Sequence, residues 1–157
     1  MVIGGYAVYR HYMMPTRILI VNALKAQQAD FTLNNDSRHI DVTCIDADEM
    51  QQIDDYDAII FVANWPDVRR FAWDTLLRAR AIEDTCYVLA ANRVGSDPAC
   101  NYDGGTAFIG PYGETLAAVP DGQEGCICGE IDLQHLAEYH AKFPVLEDAD
   151  DFTMHID

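Results

Sequence analysis

The sequence predicts an α/β fold with a mixed sheet. Short apolar runs rich in β-branched residues alternate with helical segments through the first half of the chain, a pattern typical of parallel strands joined by helices. The second half instead carries closely spaced turn formers, with Pro111-Tyr112-Gly113 between two short apolar segments, which predicts an antiparallel hairpin. Parallel and antiparallel strands are therefore expected in one sheet.

The first half of the chain divides into three strands and the segments between them. Residues 17–23, RILIVNA, form a short apolar run that predicts a buried strand. Residues 39–46, HIDVTCID, alternate apolar and polar side chains and predict a second strand. Residues 57–63, DAIIFVA, predict a third strand that is fully buried. Between these strands we expect a helix over 24–31 and a short helix or loop over 47–56.

The clearest element is an amphipathic helix after the third strand. Residues 64–67, Asn-Trp-Pro-Asp, supply a capping residue, a proline suited to the first turn and an acid suited to the positive helix end. Apolar residues follow at spacings of three and four, and we expect this stripe to pack on the core. Its members are Val68, Phe71, Ala72, Leu76, Ala79 and Ile82. Arg80 and Glu83, three residues apart, are expected to form a structural ion pair.

Turn formers and apolar runs divide the rest of the chain. The expected elements are a buried strand at 86–94, a long loop at 95–105, hairpin strands at 106–110 and 114–119, a strand at 126–132, a helix at 133–143 and an acidic tail at 147–157. No internal repeat or low-complexity segment interrupts this order. Residues 1–157 are therefore expected to form a single domain.

Composition narrows the possible functions. The 157 residues are 50% hydrophobic, which suffices for a core and is too apolar for a disordered chain. Lys and Arg total 10 against 26 Asp and Glu, a net charge of −16, so nucleic acid and anionic membrane surfaces are poor partners. No apolar run reaches the roughly 20 residues of a membrane span. The N-terminus lacks the pattern of an export signal, and a cytoplasmic location is expected.

The five cysteines do not predict a disulfide scaffold, because their number is odd and no Cys-x-x-Cys pair occurs. Cys126 and Cys128 lie two residues apart, which on a strand places both on one face and offers half of a metal site. Burial as small apolar side chains is the favoured alternative. His135 and His140 are five residues apart and share a helix face poorly, so no metal site is expected.

Several pieces of the later sequence resemble the carbon–nitrogen hydrolases, the nitrilase superfamily, and above all its ω-amidase-like branch. They are ANWP at 63–66, LLRARAIED at 76–84, NRVGSD at 92–97, GGTAFIGPYGE at 104–114 and GEIDLQHLAEYHAKFPVLEDADDF at 129–152. The resemblance covers about residues 55–152 and leaves 1–54 as a divergent part. It implies a single, truncated domain that holds part of a four-layer α-β-β-α sandwich.

The resemblance also implies a chemistry. The family hydrolyses amides or nitriles through a cysteine thiolate that forms a thioester, with a Glu as general base and a Lys that stabilises the oxyanion. A thiolate is a strong nucleophile near neutral pH, the leaving amine must be protonated, and the oxyanion needs a fixed positive donor. The resemblance implies no cofactor and a dimer or larger assembly. The acidic tail is either a solvated segment or, as in the family, packs on a neighbouring subunit.

This chain departs from the family in its first part. Cys44 lies on the strand before DAIIFVANWP, where the nucleophile is expected, and an ordinary buried strand residue is the alternative. No Glu precedes Cys44, since Glu49 is the first in the chain, and Lys25 is the only upstream lysine. Asn64 and Trp65 resemble residues near the family's substrate pocket, and they fit a helix start with an aromatic plug equally well.

Two functional hypotheses follow. The first is an amidase for a small ω-amide, with Cys44 as nucleophile and the missing groups supplied by a second copy or a related subunit. The alternative is an inactive remnant that serves as an interaction or structural subunit, and the missing Glu favours inactivity of the isolated chain. A receiver- or flavodoxin-like function is disfavoured, because Asn22 and Val62 lie near the positions of a receiver's acids and no Gly-rich phosphate loop occurs.

Overall fold

A computed structural model of the chain describes residues 16–22, 40–46 and 56–148. The helix predicted at 24–31 lies outside these ranges. So do nearly all of the segment predicted at 47–56 and the end of the acidic tail.

Within the described ranges there are eight strands, and six of them form one mixed sheet. The strands are β1 (Thr16–Asn22), β2 (Ile40–Asp46), β3 (Ala58–Ala63), β4 (Tyr87–Asn92), β5 (Val94–Ser96), β6 (Asn101–Asp103), β7 (Ala107–Ile109) and β8 (Thr115–Ala118). The sheet order is β2-β1-β3-β4-β7-β8, with β1 to β4 parallel, β7 antiparallel to β4 and β8 antiparallel to β7. The predicted α/β class, the mixed sheet and the hairpin are confirmed.

Helix α1 (Arg70–Glu83) covers one face of this sheet and follows a 3-10 turn at Asp67–Arg69. Its buried side chains are Trp73, Leu77 and Ala81, which are four residues apart and share one face of the helix. They form a core cluster with Ile59, Cys86, Val88, Ala90 and Ile109. The predicted ion pair between Arg80 and Glu83 is confirmed, with 2.6 Å between Nη1 and Oε1.

The apolar stripe predicted to face the core lies on the opposite side of α1, so that prediction is wrong. Val68 and Phe71 are 85% and 84% exposed, and Leu76 and Ile82 are exposed as well. The helix carries apolar side chains on both sides, and periodicity alone does not choose between them. Trp73 determines which side of α1 faces the core, because its large ring is buried and its N–H donates to the Gly105 carbonyl at 2.9 Å.

The start of this helix also differs from the prediction. The residue that caps the 3-10 turn is Pro66 rather than Asn64, and the cap has no side-chain hydrogen bond. Asp67 lies in the first turn as predicted. Its carboxylate accepts a hydrogen bond from the Val68 N–H at 2.7 Å. The proline ring fixes φ, here −66°, and with ψ at 148° the backbone is extended ahead of the turn.

Helix α2 (Leu133–Lys142) covers part of the other face of the sheet, where the sequence predicts a helix at 133–143. Asp132 caps it, with its side chain accepting a hydrogen bond from the His135 N–H at 2.9 Å. Leu136 is fully buried in a second core cluster, together with Ala58, Tyr87 and Phe108. No helix in the described part of the chain is long and apolar enough to cross a membrane.

Residues 95–105, predicted as a long loop, contain a small hairpin of β5 and β6. The turn between these strands is organised by Asp97, whose Oδ1 accepts hydrogen bonds from the backbone N–H groups of Ala99 and Cys100, each at 2.9 Å. The side chain of a single aspartate thus supplies the hydrogen-bond acceptor for two backbone N–H groups of the turn.

Residues 126–132, predicted as a strand, do not form one. Ile127 and Ile131 pack against the second core cluster, whereas Cys126 and Cys128 are exposed. The period-two alternation is therefore present, but it turns the isoleucines inward and the cysteines outward. The expected burial of the two cysteines is wrong for this reason.

Gly105 and Gly95 allow a matched test of the packing around α1. Both have positive φ, +88° and +101°, but a Cβ on Gly105 would lie 2.5 Å from Arg70 Nε, while one on Gly95 would meet nothing within 4 Å. We expect Gly95→Ala to cost about 1–2 kcal/mol from backbone strain alone. Gly105→Ala should cost about 1–3 kcal/mol more, because Arg70 must move. Urea unfolding of both variants measures the difference, and equal losses would contradict the expectation.

Candidate functional site

The loops after β3 and β4 meet at the carboxyl ends of the parallel strands, the edge at which open α/β sheets bind ligands. The last residues of these strands, Ala63 and Asn92, are neighbours in register. Asn64 and Trp65 follow β3 directly. This edge is the candidate functional site, and its geometry depends first on Asn92.

The side-chain amide of Asn92 holds three backbone groups of this edge. Its Oδ1 accepts a hydrogen bond from the Trp65 N–H at 2.7 Å, and its Nδ2 donates to the carbonyls of Trp65 at 3.0 Å and Gly104 at 2.5 Å. Thr106 Oγ1 accepts from the Asn92 N–H at 3.1 Å and lies 3.2 Å from the Asn92 carbonyl, to which it donates. Both amide hydrogens and the amide oxygen are thus engaged. Asn92 thus ties the loops at this edge together.

Trp65 fills the space at the start of the helix. Its ring centroid lies 5.6 Å from that of Trp73, and its Nε1 donates to the Arg69 carbonyl at 2.7 Å. The Arg69 guanidinium lies 5.3 Å from the ring centroid, within cation–π range. Asn64 is exposed at the same edge. A role of Asn64 and Trp65 in substrate binding stays a prediction.

Cys44 lies in β2, at the outer edge of the same sheet. Its backbone is in register with Ile20 of β1 and, through it, with Ile60 of β3. Two strand spacings separate Cys44 from Ile60, about 9–10 Å, and Asn64 lies four residues further along the chain. The structure therefore places Cys44 and the β3 edge in one sheet without making them neighbours. The nucleophile role of Cys44 stays a prediction, and Lys25 lies outside the described residues.

The Asp97 turn adjoins this edge. Besides the two backbone N–H groups, the Asp97 carboxylate accepts a hydrogen bond from the Tyr102 hydroxyl at 2.8 Å, and Arg93 lies 3.3 Å away. The Ala99 N–H contributes most, followed by Tyr102 and the Cys100 N–H, and together they lower the pKa of Asp97. A lowered pKa means that these contacts stabilise the turn above the ordinary pKa of an aspartate and are lost as pH falls through the lowered value.

Two shallow clefts of about 290 Å³ flank the edge. The first lies between the 3-10 turn and the Asp97 turn, and its lining is Pro66, Asp67, Val68, Asp97, Pro98, Ala99, Cys100 and Asn101. The second lies below β4, and its lining is Asn92, Arg93, Val94, Thr106, Val119, Gln123, Glu124 and Gly125. Asn64 and Trp65 line neither cleft.

The cysteines with described side chains are free thiols that differ in exposure. Cys86 is buried, and burial, with smaller contributions from Asp84 and Asp57, raises its pKa far above the ordinary value. A buried neutral thiol is a poor nucleophile. Cys100 is half-exposed and borders the first cleft. Within residues 16–22, 40–46 and 56–148, no group of three or more His, Cys, Asp or Glu side chains is placed to hold a metal ion.

Comparison with known proteins places this geometry in a family. The carbon-nitrogen hydrolase family matches residues 19–141. The omega-amidase YafV of Escherichia coli K12 is 44% identical over 105 residues, which cover 66% of this chain and 41% of the relative. The 2-oxoglutaramate amidase of Bacillus subtilis is 42% identical over 91 residues, covering 57% of this chain and 35% of the relative. The chain thus spans about two fifths of the length of these curated relatives.

Solved structures show the same relationship. A carbon–nitrogen hydrolase superfamily protein of Xanthomonas campestris, with an arsenic adduct in its active site, is 44% identical, with a TM-score of 0.59 over 64% of this chain and 38% of that one. A carbon–nitrogen hydrolase of Helicobacter pylori is 25% identical, with a TM-score of 0.53 over 60% of this chain and 38% of that one.

The role of Asn92 can be tested by removing its amide. Asn92→Ala leaves the Trp65 N–H and two carbonyls without their partner, so we expect the free energy of unfolding to fall by about 1–3 kcal/mol. Asn101→Ala, at an exposed position of β6, should change it by less than about 0.5 kcal/mol. Urea unfolding monitored by tryptophan fluorescence reports both, and an unchanged midpoint for Asn92→Ala would contradict the clamp.

Proposed function

The chain belongs to the carbon–nitrogen hydrolase family, and on that basis we propose that it hydrolyses a small ω-amide through the thiol of Cys44, in the cytoplasm. The observation that carries this proposal is the 42–44% identity to an omega-amidase and a 2-oxoglutaramate amidase. The proposed substrate is a 2-oxo acid whose far end is a primary amide. Cys44 lies within residues 19–141, which the carbon–nitrogen hydrolase family matches.

The proposed reaction proceeds in two steps. The Cys44 thiolate attacks the amide carbonyl, the tetrahedral intermediate expels ammonia after protonation of its nitrogen, and a thioester remains. Water then attacks the thioester, which releases the carboxylate and returns the thiol. The balance is amide plus water to carboxylate plus ammonium.

The acid–base and oxyanion groups of this reaction are proposed to come from a second chain. All Glu residues follow Cys44 in the sequence, and Lys25 is the only lysine before it. In the register of the sheet, Cys44 lies on an edge strand with one neighbour in the six-stranded sheet, β1. An edge strand leaves one side open to a further element, and a partner chain there would lie beside the backbone of Cys44.

The alternative proposal is an inactive subunit, and a specific observation favours it. At the candidate edge, the Asn92 amide and the Trp65 ring are occupied by internal contacts. They stabilise the loops and leave no polar atom of the Asn92 amide free for a substrate. A chain that keeps this edge intact can fold and bind partners without turning over an amide.

Turnover distinguishes the two proposals. The purified chain is incubated with 2-oxoglutaramate, and ammonia release is compared between the wild type and Cys44→Ala. The amidase proposal expects release that falls to background in Cys44→Ala, while Cys100→Ala, a half-exposed cysteine outside β2, keeps it. Absence of release, together with no alkylation of Cys44 by iodoacetamide at neutral pH, would support the inactive subunit and rule out the amidase in the isolated chain.

Self-association through α1 is the proposed mode of assembly. Its exposed face carries a row of apolar residues opposite the core, namely Val68, Phe71, Leu76 and Ile82, and exposed apolar patches of this kind mark interfaces. Two copies of α1 packed antiparallel about Leu76 would set Arg69 of one copy opposite the partner's Glu83. This charge complementarity favours a second copy of the chain as the occupant.

The association proposal predicts that a charge introduced into the interface converts the dimer in solution to a monomer. Phe71→Asp adds a charge within the proposed interface, and because Phe71 is 84% exposed, the fold should be unaffected. We expect wild-type dimers at micromolar concentration to dissociate into monomers in this variant. Leu116→Asp, at an exposed position of β8 outside the apolar row, is the control and should remain dimeric. Light scattering after size exclusion gives the masses, and a monomeric wild type would refute the proposal.

A further inference from the structure

In the segment 125–132, Ile127, Gly129 and Ile131 face the second core cluster. Ile127 and Ile131 are half-buried and pack against that cluster. The backbone of Gly129 lies so close to Phe108 that a Cβ would stand 2.2 Å from the ring carbon Cδ1. Every second residue therefore faces inward, as in an extended chain.

The residues between them face outward, and two of these are cysteines. Cys126 and Cys128 are both exposed free thiols, separated by the inward-facing Ile127. In an extended segment, Cα atoms two residues apart are about 6.5–7 Å from each other and their side chains point to the same side. The anchoring of Ile127 and Ile131 holds this arrangement, so the two thiols are presented together to solvent.

We propose that Cys126 and Cys128 form a vicinal dithiol site that binds a thiophilic metalloid, with trivalent arsenic as the chemical class of ligand. Soft thiolates prefer soft acceptors, and trivalent arsenic forms two As–S bonds with a pair of neighbouring thiols. A direct disulfide fits less well, since the Cα separation lies at the upper end of the range that an S–S bond of about 2.05 Å tolerates. A bridging arsenic atom lengthens the span between the two sulfurs.

The number of ligands argues against a structural zinc site. Zinc in such sites takes four protein ligands, and the described part of the chain holds no cluster of three or more candidate ligands. A site of two sulfurs suits an acceptor whose third position is filled by a group of its own, such as an aryl arsenical. The proposal stands apart from the amidase proposal, because it uses neither Cys44 nor the edge of β3 and β4.

The binding step is balanced and needs no oxidant. Phenylarsine oxide reacts with two thiols to give a cyclic dithioarsenite and one water. The arsenic stays trivalent, two S–H bonds and the As–O bond are replaced by two As–S bonds, and the two protons leave with the oxygen. A single thiol gives a labile product that excess monothiol displaces, so stability against monothiol identifies a paired site.

Mass spectrometry of the folded full chain tests the proposal with phenylarsine oxide as the probe. We expect one adduct per chain, at the mass of the reagent less one water. It should persist in excess 2-mercaptoethanol and be removed by 2,3-dimercaptopropanol. Cys126→Ser and Cys128→Ser should each abolish the stable adduct, while Cys100→Ser and Cys44→Ser should keep it.

The Cys44→Ser variant separates this site from the proposed nucleophile, since a related protein carries arsenic in its active site. Serine at the exposed positions 126 and 128 leaves the packing of Ile127 and Ile131 untouched, and circular dichroism checks that the variants are folded. Absence of a monothiol-resistant adduct in the wild type would overturn the proposal. Retention of that adduct in the Cys126→Ser or Cys128→Ser chain would do the same.

Discussion

The side-chain amide of Asn92 is the contact on which the rest of the described structure depends. It stands at the end of β4 and hydrogen-bonds the loop after β3 on one side and the approach to β7 on the other. Neither segment is regular at that point, so their backbone groups have no ladder partners of their own. One amide supplies three of those partners, and thereby fixes where the chain leaves the parallel part of the sheet and enters the antiparallel part.

Helix α1 is tied to the same point through Gly104 and Gly105. The Gly104 carbonyl accepts from Asn92 and the Gly105 carbonyl from Trp73, while Arg70 lies against Gly105 and meets Asp74 at 2.9 Å, Asp103 at 3.1 Å and Asp121 at 2.8 Å. Burial alone would lower the pKa of Arg70, but its contacts with Asp74, Asp121 and Asp103 outweigh it and raise that pKa. Arg70 therefore stays charged. Its contacts join α1 to the β5–β6 hairpin through Asp103 and to the turn at Asp121.

The sequence predicts the order of the helices and strands, but it does not predict which face of an element is buried. Parallel strands, the hairpin and α2 were predictable because β-branched runs, a Pro-Tyr-Gly turn and an Asp cap act locally. The buried face of α1 was not, because Val68 and Phe71 compete with Trp73 and Leu77, and the outcome depends on a partner, Gly105, that is distant in sequence. For the same reason periodicity found Cys126 and Cys128 on one face but did not say which face turns inward. At the candidate site, the partners of Asn92 were not predictable either, because Trp65 and Gly104 lie 27 and 12 residues from it in the sequence.

The two-sided helix bears on how this chain can act. The apolar residues on the outer face of such a helix are exposed to water unless a second layer covers them. Cys44 lies on β2, the edge strand of the sheet, and one side of β2 lacks a strand partner in the described ranges. Both features point to surfaces that a further layer would complete. In the amidase proposal, the general base comes from a second chain, because no Glu precedes Cys44 in the sequence. Assembly and catalysis are then coupled, and an isolated chain that folds around Asn92 need not be an active one.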